Sequence, residues 1–417
     1  MVDLTISNFF SKRIFPSFGI SILTVLIASF QIHAQGTNSI VIGTIESSIE
    51  RKQVPIDLGK TSRSFASKVG RAISLHGGLR LADTKSSLFS ANFTQEGQSG
   101  VKLELLKGQP KVPFADFSLD AGSVDLSLSR VLDAMVEKIL KIPGFFSGKI
   151  TYLSSLSGHK EVFVSDSLMS NARPQTSFGK ITFNPSWSND GQGIFFTSNR
   201  KIFNNVYFLS LRDRKISTIA NYRGSNLCAV QNPRSAQTAL ILSTSGNPEV
   251  WIATSPKTRP KRLTNNRSNE SGPTWSPDGR RLLVTSDLRG KPQIYEASLS
   301  TGRLQRIPTN VSTHCTEPAW NPHYSNLFAF TAAVSGGFQV CLYDFEERKT
   351  RIITSGTAHH IQPTWANDGR HLYITQRTST GATRVMILDT EFEEAKPSAL
   401  HNEKFGNCSQ VSFYYPN

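Results

Sequence analysis

The sequence is poor in cysteine, and its few cysteines are widely separated. Among 417 residues only Cys228, Cys315, Cys341 and Cys408 carry a thiol, with no Cys-x-x-Cys pair and no Cys/His cluster. This spacing argues against a bound metal, and nothing else in the sequence predicts a cofactor. A disulfide is possible in an exported protein, but the spacing does not say which cysteines would pair.

Long apolar segments are also missing, with one exception near the start. The run "FGISILTVLIASF" (18–30) follows Lys12 and Arg13 and precedes the small residue Ala34. This order is typical of a secretory signal peptide, whereas a membrane anchor needs about 20 apolar residues. We predict a signal peptide over residues 1–34, cleaved before Gln35, and a mature protein that is soluble in an exported compartment.

Acidic residues are in deficit. Lys and Arg number 46 against 31 Asp and Glu, which gives a net charge of +15. The basic residues are spread along the chain without an aromatic-interleaved motif, so the sequence does not predict nucleic-acid binding. The charge favours peripheral association with anionic envelope surfaces, although an ordinary basic surface would give the same composition.

One phrase recurs through the second part of the chain. "NPSWSNDG", "GPTWSPDG", "EPAWNPHY" and "QPTWANDG" place tryptophan at 187, 275, 320 and 365, separated by 88, 45 and 45 residues. The first gap is two periods, and "VQNPRSAQTALILST" fills it with Gln231 at the tryptophan position. A second set of six predicted strands, one in each repeat from "VFVSD" to "VMILD", keeps the same period. Since about four short strands fit into each 45-residue repeat, we predict a six-bladed β-propeller rather than a sandwich of unrelated hairpins.

The ring closure can also be predicted. The first repeat, "GKITYLSS" (148–155), has no Pro-x-Trp phrase before it, whereas the last residues, "SFYYPN" (412–417), resemble "PTWSPD". The C-terminal segment should therefore form the innermost strand of the first blade, which leaves few sheet edges exposed. In this alignment Tyr414 occupies the tryptophan position and should be buried between blades.

The segment before the propeller, residues 35–145, has different sequence patterns. "SRSFASKVGRAISLHG" (62–77) and "VDLSLSRVLDAMVEKIL" (124–140) have helical periodicity, and "VKLELLKG" and "FADFSLD" are typical of strands. No G-x-G-x-x-G motif, P-loop or pair of catalytic carboxylates occurs there. We predict a small α/β domain over 35–145 that precedes the propeller over 146–417.

This combination of a signal peptide, a small α/β domain and six blades with Pro-x-Trp phrases resembles the TolB family, the periplasmic component of the Tol–Pal system. The resemblance covers the mature chain, but residues 84–118 should be shorter and poorer in strands than in the family. It implies a periplasmic, non-enzymatic scaffold, monomeric by expectation, that supports outer-membrane integrity and cell division. It also implies binding of a Pal-like peptidoglycan-associated lipoprotein at the propeller channel mouth. The mature N-terminal strand would pair with a TolA-like inner-membrane protein, and this strand comprises Gln35, Gly36, Thr37, Asn38, Ser39, Ile40, Val41 and Ile42.

The channel mouth is predicted from blade geometry, because residues just before each Pro-x-Trp phrase should lie where the blades converge. Three histidines in this set lack the spacing of a metal site. The predicted partner-binding residues are Ser225, Cys228, Glu270, Ser271, His314, Thr316, Glu317, His359, His360 and Gln362.

Two other functions remain open on the sequence. A propeller hydrolase would need paired acids and an arginine cluster in its channel, which the mouth positions do not supply, and a peptidase would need the missing G-x-S-x-G motif. A propeller that binds a glycan or a small ligand is the other alternative.

Overall fold

The computed structural model describes residues 53–334, 336–391, 396–401 and 403–416. The predicted signal peptide (1–34) and the predicted partner strand (35–42) lie outside these residues. Within the described part, no helix is both long enough and apolar enough to cross a membrane.

The N-terminal part is a five-stranded sheet with two helices, as predicted. Residues 84–118 contribute most of three antiparallel strands; that this segment is shorter and poorer in strands than in the family stays a prediction. The elements are β1 (Val54–Asp57), α1 (Arg63–Leu75), β2 (Leu79–Leu81), β3 (Phe89–Glu96), β4 (Gly100–Lys107), β5 (Val112–Asp120) and α2 (Val124–Leu140). The strands lie in the order β2-β1-β3-β4-β5; β1 pairs in parallel with β2 and β3, and the other pairs are antiparallel.

The remainder forms six four-stranded antiparallel sheets, which confirms the six-bladed propeller. Blade 1 comprises β29 (Cys408–Tyr414), β6 (Lys149–Ser154), β7 (Glu161–Asp166) and β8 (Arg173–Pro174). Blade 2 comprises β9 (Thr182–Trp187), β10 (Gly193–Lys201), β11 (Phe203–Ser210) and β12 (Ile216–Ala220). Blade 3 comprises β13 (Asn226–Gln231), β14 (Thr238–Leu242), β15 (Glu249–Ala253) and β16 (Lys261–Arg262). Blade 4 comprises β17 (Glu270–Trp275), β18 (Leu282–Ser286), β19 (Gln293–Ala297) and β20 (Leu304–Arg306). Blade 5 comprises β21 (Cys315–Trp320), β22 (Leu327–Val334), β23 (Gly337–Asp344) and β24 (Lys349–Ile352). Blade 6 comprises β25 (His359–Trp365), β26 (His371–Arg377), β27 (Thr383–Asp389) and β28 (Ser398–Ala399). The last strand, β29 (Cys408–Tyr414), belongs to blade 1.

The repeated phrase builds the inner half of each blade. The Asp-Gly turn after the tryptophan needs a residue with positive φ, and Gly279 and Gly369 supply it at φ of 71° and 65°. The apolar strand that follows is buried along its length, as in Leu282–Ser286, because neighbouring blades cover both of its faces. The tryptophans are 5–7% exposed, so they pack between blades as predicted.

The ring closes through the C-terminus, as predicted, but the predicted alignment is wrong by one residue. β29 pairs with β6, and Phe413 faces Ile150 in the position that Trp365 takes opposite Leu372. Phe413 therefore occupies the tryptophan position. Tyr414 is only half-buried and contacts Trp187, with ring centroids 5.5 Å apart. The alignment matched Pro416 to the second proline of the phrase, but the bulge residue Gln410 lies three residues before Phe413, as Gln362 lies three residues before Trp365.

The N-terminal domain and the propeller share one apolar core. It combines side chains of α1 and α2 with residues of blades 1 and 6, among them Tyr152 and Tyr373. At its edge the buried carboxylate of Asp133 in α2 accepts hydrogen bonds from the amides of Phe146 and Ser147, at 2.6 and 2.9 Å, and from the hydroxyl of Tyr415 at 2.9 Å. One side chain thus joins α2, the start of the propeller and the end of the chain.

Candidate functional site

The innermost strands of all six blades run in the same sense, so their first residues lie on one face of the ring. We call this the mouth face. The turns that join the second and third strands of each blade lie on it as well, because those strands are antiparallel. The N-terminal domain contacts the opposite face, where His371 lies beside His76.

A ring of β-bulges surrounds the channel. In five innermost strands the bulge begins with a residue in the left-handed region, three residues before the tryptophan position. These residues are Asn184, Gly272, Glu317, Gln362 and Gln410, with φ between 51° and 57°. Since four of the five are not glycine, the conformation is held by contacts rather than by backbone freedom.

Hydrogen bonds to these bulges join neighbouring blades. The amides of Glu317, Gln362 and Gln410 donate to threonine hydroxyls on the second strand of the preceding blade, at 3.1, 3.2 and 3.2 Å. The amide of Asn184 donates instead to the side chain of Gln410 at 2.7 Å. The threonine near the end of the apolar strand is therefore an inter-blade acceptor in blades 4, 5 and 6, whereas the equivalent Thr197 of blade 2 donates its hydroxyl to the carbonyl of Leu227.

Blade 3 departs from this pattern. Its bulge lies one residue earlier, between Asn226 and Cys228, and Ile241 stands where blades 4, 5 and 6 have the acceptor threonine. Among the described residues no amide-to-threonine bond joins blades 3 and 4. Other bonds join them instead: the indole N–H of Trp275 donates to the carbonyl of Val230 at 3.1 Å, and the side chain of Asn232 donates to the carbonyl of Gly279 at 2.8 Å.

The predicted mouth residues divide into two groups. Those that remain at least partly exposed at the start of the innermost strands are Ser225, Ser271, His314, Thr316, Glu317, His359 and Gln362. The other three are buried, with exposed fractions of 7% for Cys228, 1% for Glu270 and 4% for His360.

The burial of these three residues corrects their expected role as partner contacts. Cys228 packs in the apolar cluster between blades 3 and 4, and burial raises the pKa of its thiol to about 12. Burial also raises the pKa of Glu270, whose carboxylate accepts hydrogen bonds from Thr264 and Ser286. His360 bonds to Gln339 at 2.9 Å, and burial lowers its pKa, so it is neutral.

Glu317 holds the ring together as well as lining it. Its carboxylate accepts hydrogen bonds from the hydroxyl of Thr331 at 2.7 Å and from the amide of Gln362 at 2.9 Å. Burial raises its pKa, although these bonds oppose the increase. Neither acidic residue of the predicted mouth set is thus a free carboxylate.

Sequence reasoning missed an aromatic group beside the predicted histidines. The ring of Phe338 lies between those of His314 and His359, with centroids 5.3 and 5.7 Å away. The amide of Phe338 donates to Nδ1 of His359 at 3.0 Å. The available signal was an aromatic residue directly after the hairpin glycines in "SGGFQV", a position where polar residues are usual.

Apolar side chains stand out on the mouth face. Ile202 and Phe203, in the turn between β10 and β11, are 85% and 70% exposed. Ile202 also has a φ of 78°, a rare conformation for a β-branched residue. With three further exposed residues they form what we call the apolar rim: Leu156, Ile181, Ile202, Phe203 and Leu288.

A separate polar cluster lies on the opposite face. Among the described residues, His76, Asp368 and His371 could offer three ligand atoms to a metal, all within 4.8 Å of one another. Both ring nitrogens of His371 are engaged, by Asp368 at 2.5 Å and by the carbonyl of His76 at 2.7 Å. We therefore interpret the cluster, which sequence reasoning did not anticipate, as a hydrogen-bonded link between the N-terminal domain and blade 6.

This cluster predicts a pH-dependent stability. Burial lowers the pKa of His371, but the charge of Asp368, its hydrogen bond and the charge of Asp389 together outweigh burial and raise the pKa above the usual 6.5. The protonated imidazole therefore stabilises the fold below pH 6.5, and this contribution is lost as pH rises through the elevated pKa. The melting temperature should fall above pH 7 in the parent, with a smaller fall in His371→Gln. The exposed His159 offers a control, since His159→Gln should keep the parent slope; equal slopes in all three proteins would contradict the assignment.

The comparisons with known proteins agree with this architecture. The family description "TolB beta propeller domain" matches residues 136–399. The Tol-Pal system protein TolB of Francisella tularensis is 29% identical over 254 residues, which is 57% of this chain and 58% of that protein. Its namesake in Bordetella pertussis is 27% identical over 174 residues, or 42% of this chain and 40% of that protein. The chain thus spans about half the length of the curated relatives it matches.

A solved structure extends the likeness beyond the propeller. The crystal structure of TolB from Acinetobacter baumannii has a TM-score of 0.74 and covers 87% of this chain and 96% of its own. At 18% identity it establishes the fold. A nidogen/laminin complex contributes a chain that covers 65% of this one with a TM-score of 0.53 and 11% identity, which shows how widely the ring architecture is shared.

Proposed function

The chain belongs to the TolB β-propeller family, and from this premise we propose that it is a periplasmic, non-enzymatic component of a Tol–Pal system. In this role it binds a Pal-like peptidoglycan-associated lipoprotein at the mouth face and supports outer-membrane integrity and cell division. A second contact, with a TolA-like protein, would use the strand over residues 35–42. That strand lies outside the described residues, so this part rests on the family resemblance alone.

The apolar rim is the observation that carries the proposal. Of the eight large apolar side chains exposed among the described residues of the propeller, five belong to the rim. Exposed apolar groups that lie on one face are typical of protein interfaces. The described part of the N-terminal domain packs on the opposite face, away from the rim.

The polar groups of the mouth favour binding over hydrolysis. A glycoside hydrolase needs two carboxyl groups that can reach the bond to be cleaved. Glu270 is buried, and the carboxylate of Glu317 is engaged by Thr331 and Gln362. His314, His359 and Phe338 instead supply a partly exposed polar and aromatic surface, which suits a protein partner.

The rim can be tested with a double substitution. Ile202→Ser with Phe203→Ser should weaken binding of the soluble domain of the cognate peptidoglycan-associated lipoprotein by at least tenfold, because interface hot spots contribute about 2 kcal/mol or more. The melting temperature should change little, since both side chains are largely exposed. Isothermal titration calorimetry gives the affinity.

Tyr324→Ser is the matched control. Tyr324 is 55% exposed in the turn between β21 and β22, on the face opposite the mouth, and its loss should leave the affinity unchanged. Parent-like binding by the double variant would move the partner site away from the rim. Absence of binding by the parent itself would reject the proposed function.

A further inference from the structure

Blade 4 carries a groove of about 700 Å³ along its outermost strand, which reaches the mouth face at Arg289, next to the rim residue Leu288. Its lining includes three arginines, Arg289, Arg303 and Arg306, together with Ser298 and Thr301. The sequence analysis left the excess of basic residues without a role, and this groove concentrates part of it at one place.

The arginines of the groove have no anionic partner among the described residues. Glu296 is the one acidic residue in the lining. Arg281 engages both of its carboxylate oxygens, at 2.9 and 2.7 Å, so its charge is already compensated. The groove is therefore strongly positive, and guanidinium groups pair well with carboxylates and phosphates.

Two buried donors at the same place also lack an acceptor. Nε of Arg306 and the hydroxyl of Tyr295 are buried without a hydrogen-bond partner. The two residues face each other across β19 and β20, so their side chains lie on one face of the sheet. Arg306 donates through Nη2 to Gln293 at 2.9 Å, which holds its guanidinium in place. Unpaired buried donors are unusual in folded proteins, so Nε of Arg306 and the hydroxyl of Tyr295 are suited to a ligand.

The spacing of the arginines defines the ligand. Arg303 and Arg306 are three residues apart along an extended segment, which separates their Cα atoms by about 10 Å. A single small anion is therefore too small to contact both Arg303 and Arg306. The volume falls within the range of pockets that hold small molecules.

We propose that this groove is a binding site for a small polyanion, a molecule with at least two phosphate or carboxylate groups. Arg306 and Arg289 bind the first anionic group, with the hydroxyl of Tyr295 as an additional donor behind Arg306. Arg303 binds the second group, beside the hydroxyls of Ser298 and Thr301. The groove borders the mouth face at Arg289, but the anion site does not rest on the proposed lipoprotein binding, because its evidence is the charge and the unpaired donors of the groove.

Calorimetric titration of the mature protein at low ionic strength tests the proposal. Tripolyphosphate should bind saturably at one site, with an affinity that falls as salt is added. Arg306→Gln should weaken it about tenfold or more, since a hydrogen bond to a charged group contributes about one factor of ten or more. Arg303→Gln should weaken tripolyphosphate but not inorganic phosphate, which is too small to span both ends.

Further titrations separate the sources of the anion and the role of Tyr295. Triglutamate that binds more tightly than tripolyphosphate would identify a carboxylate ligand, and the reverse order a phosphate ligand. Tyr295→Phe should reduce the affinity without lowering the melting temperature. Arg259→Gln, at an exposed arginine of blade 3, is the control and should bind as the parent does. Absence of saturable binding by both polyanions, or an equal loss in the Arg259 and Arg306 variants, would overturn the proposal.

Discussion

Deleting residues 411–417 should lower the free energy of unfolding by at least about 5 kcal/mol, more than any single substitution in a blade. The deletion removes most of β29 and leaves β6 without its inner partner. It also removes Phe413, which stacks on Tyr373 at 5.7 Å and packs against Gly148. Loss of a fully buried large aromatic side chain costs about 3–5 kcal/mol; Phe413 is partly buried at the edge of the core, and the lost strand pairing supplies the rest.

The deletion also affects blade 2 and the N-terminal domain. Trp187 loses two acceptors, because its amide and its indole N–H both donate to Ser412, at 3.2 and 3.1 Å. Asp133 loses the hydroxyl of Tyr415. Urea unfolding provides the measurement, with removal of residues 416–417 as the control, because the ladder between β29 and β6 ends at Tyr414. Superimposable unfolding curves for the two deletions would mean that the ring closes in another way.

Asp133→Ala should destabilise the protein by about 3–5 kcal/mol, the range seen when one partner of a buried charged network is removed. The substitution leaves the amides of Phe146 and Ser147 without an acceptor in a buried environment. Each unsatisfied donor costs about 1–3 kcal/mol. Since these amides lie where the chain enters the propeller, the loss should be cooperative, and thermal unfolding of both domains should shift together.

Two related variants separate the hydrogen bonds from the volume of the side chain. Asp133→Asn keeps one acceptor and the shape, so its cost should be smaller than that of Asp133→Ala. Gly144→Ala should resemble Asp133→Ala, because a Cβ at residue 144 would lie 2.3 Å from the carboxylate of Asp133. An unchanged melting temperature in Asp133→Ala would show that the junction does not depend on this carboxylate.

The blades could be predicted from the sequence because each blade packs against its neighbours with the same residue types at the same positions of the repeat. A tryptophan between blades, a glycine at the turn and a fully apolar second strand leave a period that survives in blade 3, where Gln231 replaces the tryptophan. The threonine at the end of the apolar strand was visible in the phrase. Its role as an acceptor for the next blade needs the three-dimensional ring.

Errors of prediction arose where a blade departs from the repeated phrase. In the closing strand Val411 stands where the phrase has its first proline, and the alignment matched Pro416 to the second, so it placed Tyr414 rather than Phe413 at the tryptophan position. In blade 3 the displaced bulge places Cys228 in the core instead of at the mouth, because a shift of one residue along a β-strand reverses which side is buried.

Contacts between distant parts of the chain could not be predicted at all. Asp133 and Tyr415 are separated by 282 residues, and His76 meets His371 across 295. Such pairs leave no periodic pattern in a single sequence. The apolar rim was visible only as isolated residues in turns, because its members come from three different blades.

Hydrogen exchange of the mature protein, with and without the soluble domain of its peptidoglycan-associated lipoprotein, tests the central claim most directly. If the mouth face is the binding surface, the partner should slow amide exchange in the turn over 199–203 and at the mouth-face ends of β21 and β25. The turns over 277–280 and 367–370, on the opposite face, should exchange at the same rate in both samples. Protection of those opposite turns, with none at 199–203, would contradict the account.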